Sequence, residues 1–341
     1  MSSQYFGLEF GSSSIKVAQV TVTGPKAFVV TALGSGPNSA GSLDFADPMI
    51  SQKIAASLKK VLSESGIKEK RVVVAIPESH VFSRIIEMPP MSEAELTSAI
   101  SWEAEQFVPI PIVDVELDYS IVDSGNNNKD KKMLVYMVAA PKKKLQAMVD
   151  FLINVGLDPI AVESEMVAIA RSLSYLPSAG PTLILSLGAL SSLIGILKES
   201  SLLFSYVTQV GGVALTRSLS QSLALPLPQA EEYKKTYGVD PNQLEGKVRR
   251  GLLIGLSQIV DEMRKAMEYY ATTHNERVGR ILLTSGGAYL PGLVTYLTEE
   301  FGGVEVVVAD PLSVGKAARG VILPKDRAHL AVALGLAQRT F

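Results

Sequence analysis

A glycine followed by serines between two apolar strands can hold phosphate, and this chain carries that pattern twice. Gly11, Ser12, Ser13 and Ser14 lie inside Y-F-G-L-E-F-G-S-S-S-I-K-V-A-Q-V (5–20), and Gly188 to Ser191 repeat the plan inside P-T-L-I-L-S-L-G-A-L-S-S-L-I-G-I-L (181–197). Glycine lacks a Cβ, so phosphate oxygens can approach the backbone, where turn amides point outward and hydroxyls add donors. A single Gly/Ser turn reads simply as a turn, because both residues suit turn conformations by themselves. Two copies half a chain apart imply duplicated halves, which enclose a cleft with one turn on each wall. Placing Gly11 on Gly188 puts Ser14 on Ser191 and Glu9 on Ser186. The walls therefore differ where a carboxylate would sit.

Two further glycine elements fall at predicted strand ends, Gly211-Gly212 and Ser285-Gly286-Gly287-Ala288. The second follows the apolar run I-L-L-T and precedes a predicted helix, where a diglycine admits a flat ligand or a phosphate close to the backbone. Glu231 and Lys234 are one helical turn apart. Alone they read as an exposed ion pair.

Bulk composition limits the alternatives. The chain has 341 residues, 47% hydrophobic and 19% charged, enough for two domains with real cores. Lys+Arg 32 against Asp+Glu 34 leaves a formal charge of -2, which gives no argument for nucleic acid or an anionic membrane surface. The absence of cysteine excludes disulfides, thiolate nucleophiles and thiolate-bound metals. His80, His274 and His329 are far apart in sequence and show no metal-ligand spacing. No secretory signal and no apolar stretch of roughly 20 residues is visible, so the expected compartment is the cytoplasm.

The elements that must position these residues follow from periodicity. A third strand is expected over 27–34, a helix over 47–65 with Ile50, Ile54, Leu58 and Val61 on one face, and a buried strand over 71–76. Residues 78–156 read as a small α+β insert: a strand, a helix opened by a Ser92/Glu95 capping box, two strands flanking a mobile tip at 125–131, and a second helix. A strand at 157–160 and a helix at 164–175 lead to the second hairpin. Then come a strand over 202–210, helices over 214–223, from 230 and over 251–274, a strand over 280–284, a helix over 293–301, a strand over 304–308 and a final helix over 327–338.

The order of these elements resembles the actin-like ATPase superfamily: a first phosphate hairpin, a second half a chain later, and a late T/S-G-G-A adenosine motif. Within it, nearly the whole chain resembles the PilM family of type IV pilus assembly. F-G-L-E-F-G-S-S-S-I-K-V, the insert's M-P-P-M-S-E-A-E-L-T-S-A-I-S-W-E-A-E-Q-F-V-P-I-P, V-G-L-D-P, G-G-V-A-L-T, A-E-E-Y-K, S-G-G-A-Y-L-P-G-L and A-V-A-L-G-L-A carry the resemblance.

That resemblance implies an actin-like ATPase fold of duplicated ribonuclease H-like halves, the first spanning 1–77 plus 157–180, the second 181–341, with 78–156 inserted. It implies ATP between the halves. Gly11, Ser12, Ser13, Ser14 and Lys16 would hold phosphates on one wall, Gly188 and Ser191 on the other, with Gly211 and Gly212 also at the nucleotide. Glu231 and Lys234 would meet ribose and adenine, and Gly286, Gly287 and Ala288 would lie along the nucleotide. The superfamily usually has Asp before each phosphate glycine. Glu9 would stand in for the first as the catalytic acid, holding Mg²⁺ through water, whereas Ser186 can neither ligate a hard cation as an anion nor act as a base. ATP binding with weak or absent hydrolysis is expected. Glu163 and Glu165, just ahead of the second hairpin, could replace the acid or serve as solvent-facing or capping residues.

As a PilM-like scaffold, the protein would be peripheral to the inner membrane only through partners. Its insert would receive the cytoplasmic N-terminal peptide of PilN, with other pilus platform and motor proteins as further partners. Trp102, Phe107 and Ile110 are either contacts for that peptide or packing within the insert's own core. A type II secretion platform subunit, an FtsA-like cell-division protein and a small-molecule kinase of the same fold are the alternatives.

Overall fold

The computed structural model describes residues 4–24, 27–124, 132–176 and 180–341. The chain begins with the antiparallel strands β1 (Phe6–Phe10), β2 (Ser14–Gly24) and β3 (Ala27–Pro37), followed by α1 (Pro48–Ser65) and β4 (Arg71–Ile76). Helix α1 starts where the Asp47 carboxylate accepts from the N–H groups of Met49 and Ile50, and stops where Gly66 turns left-handed at φ 71°. Its buried residues Ile54, Leu58 and Val61 cover the apolar face of β1 and β2, packing with Leu8, Phe10 and Ile15.

The insert follows as β5 (Phe82–Met88), α2 (Glu93–Phe107), β6 (Val115–Asp123), β7 (Met133–Pro141) and α3 (Lys142–Asn154). The Ser92/Glu95 capping box forms as its spacing predicts. Leu96, Ile100 and Ala104 of α2 bury against Met133, Val135 and Met137 of the three-stranded sheet, ordered β5-β7-β6. The expected mobile tip at 125–131 lies outside the described residues. Helix α3 faces the other way: Met148, Phe151 and Leu152 join the core of Phe10 and Ile54. In packing terms, α3 belongs with the first sheet.

After β8 (Asp158–Ser164) and α4 (Glu165–Leu173) the opening plan recurs as β9 (Thr182–Leu187), β10 (Ser192–Lys198) and β11 (Ser201–Thr208). The second half continues with α5 (Gly212–Leu223), α6 (Leu227–Tyr237), α7 (Lys247–His274), β12 (Arg280–Thr284), α8 (Leu293–Glu300) and β13 (Glu305–Val308). Its sheet runs β11-β10-β9-β12-β13. The duplication is explicit in the pairing, since β1 lies antiparallel to β2 and parallel to β4, while β9 lies antiparallel to β10 and parallel to β12.

The last residues return to the first sheet. Strand β14 (Gly315–Ala317), absent from the sequence reading, pairs in parallel with β3, completing the order β14-β3-β2-β1-β4-β8. Three residues are too few for a readable alternation, and their pairing is set by a partner almost a chain length away. The final helix is shorter than expected: a 3-10 turn at Ala328–Leu330 leads into α9 (Ala331–Ala337). Helix α9 packs on β1 and against α4, at Gly7, where a Cβ would sit 2.2 Å from the Ala333 carbonyl oxygen. A central cluster that includes Val73, Tyr136, Ile169, Leu193, Leu282 and Leu336 joins both sheets and the insert.

Candidate nucleotide site

The two Gly/Ser turns have the same internal geometry. Gly11 N–H donates to the Ser14 carbonyl at 2.9 Å, and Gly188 N–H donates to the Ser191 carbonyl at 3.1 Å. A Cβ at Gly11 would lie 2.7 Å from that carbonyl oxygen, and one at Gly188 would lie 2.8 Å from its counterpart. Close approach therefore requires glycine at both positions. The amides of Ser12, Ser13, Ala189 and Leu190 have no acceptor among the described residues. Each turn thus presents unspent donors, as an anion requires.

Different elements brace the turns. Behind the first, buried Asn38 donates through Nδ2 to the Gly11 carbonyl at 3.0 Å and through its backbone N–H to the Ser13 carbonyl at 3.0 Å. Sequence reasoning missed Asn38, although an amide side chain in the Gly/Ser/Pro loop after the third strand was the available signal. Behind the second, Gly212 N–H donates to the Gly188 carbonyl at 2.9 Å and Val213 N–H to the Ala189 carbonyl at 2.8 Å. A Cβ on Gly211 would lie 2.6 Å from the Ser191 nitrogen. The start of α5 thus supports the turn, and the Gly212 amide is already committed within the protein.

The walls also differ in charge. Glu9 faces Lys16 across the β1-β2 pair, and the two form a buried ion pair through Glu9 Oε1. Glu9 Oε2 is buried with no hydrogen-bond partner. At the matching register on β9 and β10, Ser186 faces buried Leu193. Both members of the charged pair are therefore replaced on the second wall. The Ser186 hydroxyl instead lies 2.7 Å from that of Ser285.

Ser285 adopts φ 66°, an uncommon conformation for a residue with a side chain, as the chain turns out of β12. Gly286 beyond it is exposed, and a Cβ there would meet nothing within 4 Å. Gly287 packs against Leu187, where a Cβ would lie 2.3 Å from Cγ. The Ala288 side chain is buried in the second core, so of the expected trio only Gly286 has an open face. The Ala328 carbonyl accepts from Ser285 N–H at 3.2 Å and Thr284 Oγ1 at 2.7 Å. Next to it, burial and the Lys16 charge depress the His329 pKa. The 328–330 turn thus brings the end of β12 and the first wall together.

Glu231 and Lys234 are not an exposed pair. Lys234 is buried, and its Nζ donates to Glu231 Oε2 at 2.7 Å, to Thr216 Oγ1 at 2.8 Å and to the Gly212 carbonyl at 2.8 Å. The Thr216 hydroxyl also donates to Glu231. Burial raises the Glu231 pKa, but hydrogen bonds from Lys234 and Thr216 outweigh it and hold the carboxylate below its usual range. Thr216 was missed as a network member, although it closes G-G-V-A-L-T one helical turn after Gly212.

The two reserve acids have separate roles. Glu163 is clamped by Arg171 at 2.7 and 2.8 Å and by Arg339, which excludes it as a free base. Glu165 begins α4, and burial pushes its carboxyl up to about 8, with Glu9 among the charges acting on it. Trp102, on α2, is 62% exposed, whereas Phe107 and Ile110 lie half-buried at the margin of the insert core. Among the described residues there is no cluster of three or more His, Asp or Glu suited to a metal, and no helix is long and apolar enough to cross a membrane.

The profile of a family described as type IV pilus assembly protein PilM matches residues 7–341. The chain belongs to the PilM family. A solved PilM-PilN type IV pilus biogenesis complex is similar to it over 98% of this chain and 97% of that one, with a TM-score of 0.82 at 26% identity. The ethanolamine utilization protein EutJ from Carboxydothermus hydrogenoformans matches at a TM-score of 0.57 and 15% identity, covering 97% of this chain and 88% of that one. MreB5 of Spiroplasma citri, solved bound to ADP, matches at 0.55 and 12%, covering 97% and 94%. These likenesses establish the actin-like ATPase fold for this PilM-family chain.

Proposed function

We propose that this PilM-family protein is an ATP-binding scaffold of the type IV pilus inner-membrane platform, peripheral to the membrane through its partners. The observation that carries the nucleotide reading is the pair of matched turns with unspent amides. Residues 12–14 and 188–191 would cradle phosphates, Glu231 would receive ribose hydroxyls with Lys234 and Thr216 holding it in place, and Gly286 would leave room for the base. The residues fit a divalent cation on the first wall, where the unpartnered Glu9 Oε2 supplies a buried anionic acceptor. Bound Mg²⁺ would neutralise phosphate charge there. Lys16 would need to share its ammonium between Glu9 and a phosphate.

Weak turnover follows from the other acids. Ser186 and Leu193 bring no charge to the second wall, and Glu165, its carboxyl raised to about 8, is mostly protonated near neutral pH and is then no base.

A similar solved protein was captured with PilN, and the same partner class is proposed here. Its cytoplasmic N-terminal peptide would bind the insert near the Phe107 and Ile110 margin and exposed Trp102. Calorimetric titration with ATP and with that peptide tests the scaffold reading. Micromolar or tighter binding of both is expected, with Phe107→Ala weakening the peptide about tenfold, equivalent to about 1.4 kcal/mol. Unchanged peptide affinity in Phe107→Ala removes that residue from the interface, and no binding of ATP removes the cleft reading.

A further inference from the structure

The 3-10 turn Ala328–Leu330 carries a histidine that the nucleotide reading does not use. The turn packs on β2, on the end of β12 and on the 3-10 turn Gly286–Tyr289, so it lies where the first wall meets the diglycine segment. Its backbone is held from several sides. Ala328 N–H donates to the Tyr289 hydroxyl at 2.8 Å, and the Ala328 carbonyl accepts from Thr284 Oγ1 and Ser285 N–H. Just before it, Arg327 donates to Asp310 at 3.0 Å and to the Pro324 carbonyl at 2.9 Å.

Two of the three side chains are spent on the interior. Ala328 joins the second core, and Leu330 packs with Phe28 and Leu334. His329 is half-buried, so it alone has a side chain partly open to solvent. On β2 the charge that faces it is Lys16, whose Nζ would stand 3.7 Å from a Cβ placed on Gly11. The imidazole is therefore close to the base of the first Gly/Ser turn. Lys16 is itself paired with Glu9. The preceding loop adds Asp326, the 286–289 turn adds the Tyr289 hydroxyl, the end of β12 offers Thr284 and Ser285, and α9 carries no titratable residue. Burial and the Lys16 charge hold the His329 pKa below its ordinary 6.5, with Asp326 only partly opposing them. The ring is thus neutral near pH 7, beside an ammonium and facing a turn built for an anion.

We propose that His329 is a further nucleotide-binding residue of the first wall, whose imidazole takes a proton from solvent when a polyphosphate occupies the Gly11–Ser14 turn and then holds it together with Lys16. The inference rests on the ATP reading above and adds a pH-dependent contact to that site. A polyphosphate offsets the Lys16 charge and favours the imidazolium, so the complex binds more protons than the free protein. Affinity therefore rises as pH falls through the window between the bound and free pKa values, and levels off below the free one.

The test uses the full chain, whose three histidines, His80, His274 and His329, give separate imidazole signals in an NMR pH titration. His329→Gln assigns its signal by loss. If that variant does not fold, His80→Gln and His274→Gln assign it by exclusion. With saturating Mg²⁺ and AMPPNP, the His329 pKa is expected to rise by at least about one unit, while His80 and His274 stay within about 0.2 of their free values. By calorimetry, wild-type affinity for AMPPNP should rise at least about fivefold more than that of His329→Gln between about pH 7.5 and about pH 5.5. Glu165 and the ligand's own phosphates titrate in both proteins, so the difference isolates the imidazole. A purely structural role would lower the affinity of His329→Gln equally at both pH values. A His329 pKa that stays or falls on binding, or parallel pH profiles in wild type and variant, overturns the proposal. Failure of wild type to bind AMPPNP instead removes the ATP reading, and the role of His329 with it.

Discussion

The two glycine turns are alike in backbone and unlike in charge. Both close with an amide-to-carbonyl bond from glycine to the serine three residues on, and both leave two amides unspent. On the first wall the strands leading into the turn carry Glu9 opposite Lys16, and on the second they carry Ser186 opposite Leu193. The backbone geometry that would grip an anion is present in both halves. The charge that could support chemistry was retained in one. A wall that replaces acid and lysine together stays neutral and stable, whereas replacing either alone would bury an uncompensated ion. If the turns hold phosphate as proposed, gripping and turnover are separable properties of this hairpin.

The most damaging way to probe the contrast is Glu9→Leu. It strands the buried Lys16 ammonium and should cost about 3–5 kcal/mol in a urea melt, whereas Ser186→Ala leaves only the Ser285 hydroxyl without its neighbour and should cost about 0.5–1.5 kcal/mol. Equal losses would mean that the two walls are not electrostatically distinct.

Next in size is an attempt to convert the second wall into the first. Ser186→Asp buries a carboxylate beside Leu193 and should destabilise the protein by at least about 1–3 kcal/mol. Adding Leu193→Lys should restore more than half of that loss, a non-additivity that a double-mutant cycle measures directly. If the two changes simply add, the cross-strand register is not what makes Glu9 tolerable.

A smaller effect separates Glu165 from Glu9. The folded state holds the Glu165 proton up to about pH 8, whereas an ordinary carboxyl releases it near 4.5. Between those values the native state binds more protons than the unfolded one, so Glu165 lowers stability as pH rises through that window. Wild type should therefore lose about 2 °C or more in Tm relative to Glu165→Gln between pH 5 and 8. Parallel curves would show that this carboxyl titrates normally.

Smallest is Thr216→Val, which removes the hydroxyl shared by Glu231 and Lys234. ATP affinity should fall by about two- to tenfold, as expected for one hydrogen bond of about 0.5–1.5 kcal/mol. No change would detach the α5–α6 network from the nucleotide.

The sequence made the repeated halves legible because each turn advertises itself through glycine and its flanking apolar strands. It also revealed the Glu9 and Ser186 difference, which needed only the alignment of the two copies. The replacement of Lys16 by Leu193 was equally present in that alignment, but its meaning came from antiparallel register, which tells which residue faces which. Lys234 read as an exposed pair because i,i+3 spacing records neighbours along a helix and not the Gly212 carbonyl that buries it. The returns of β14 and α9 to the first sheet and the bracing by Asn38 join residues distant in sequence. Local periodicity carries no trace of such contacts.

The central claim is that the cleft grips ATP without turning it over efficiently. The direct measurement follows bound nucleotide and released phosphate in one sample of purified protein with Mg²⁺ and ATP. The account predicts near-stoichiometric ATP binding with turnover far below about 10 s⁻¹, the middle of the enzyme range. Rapid, Mg²⁺-dependent phosphate release that persists in Glu9→Ala would contradict it.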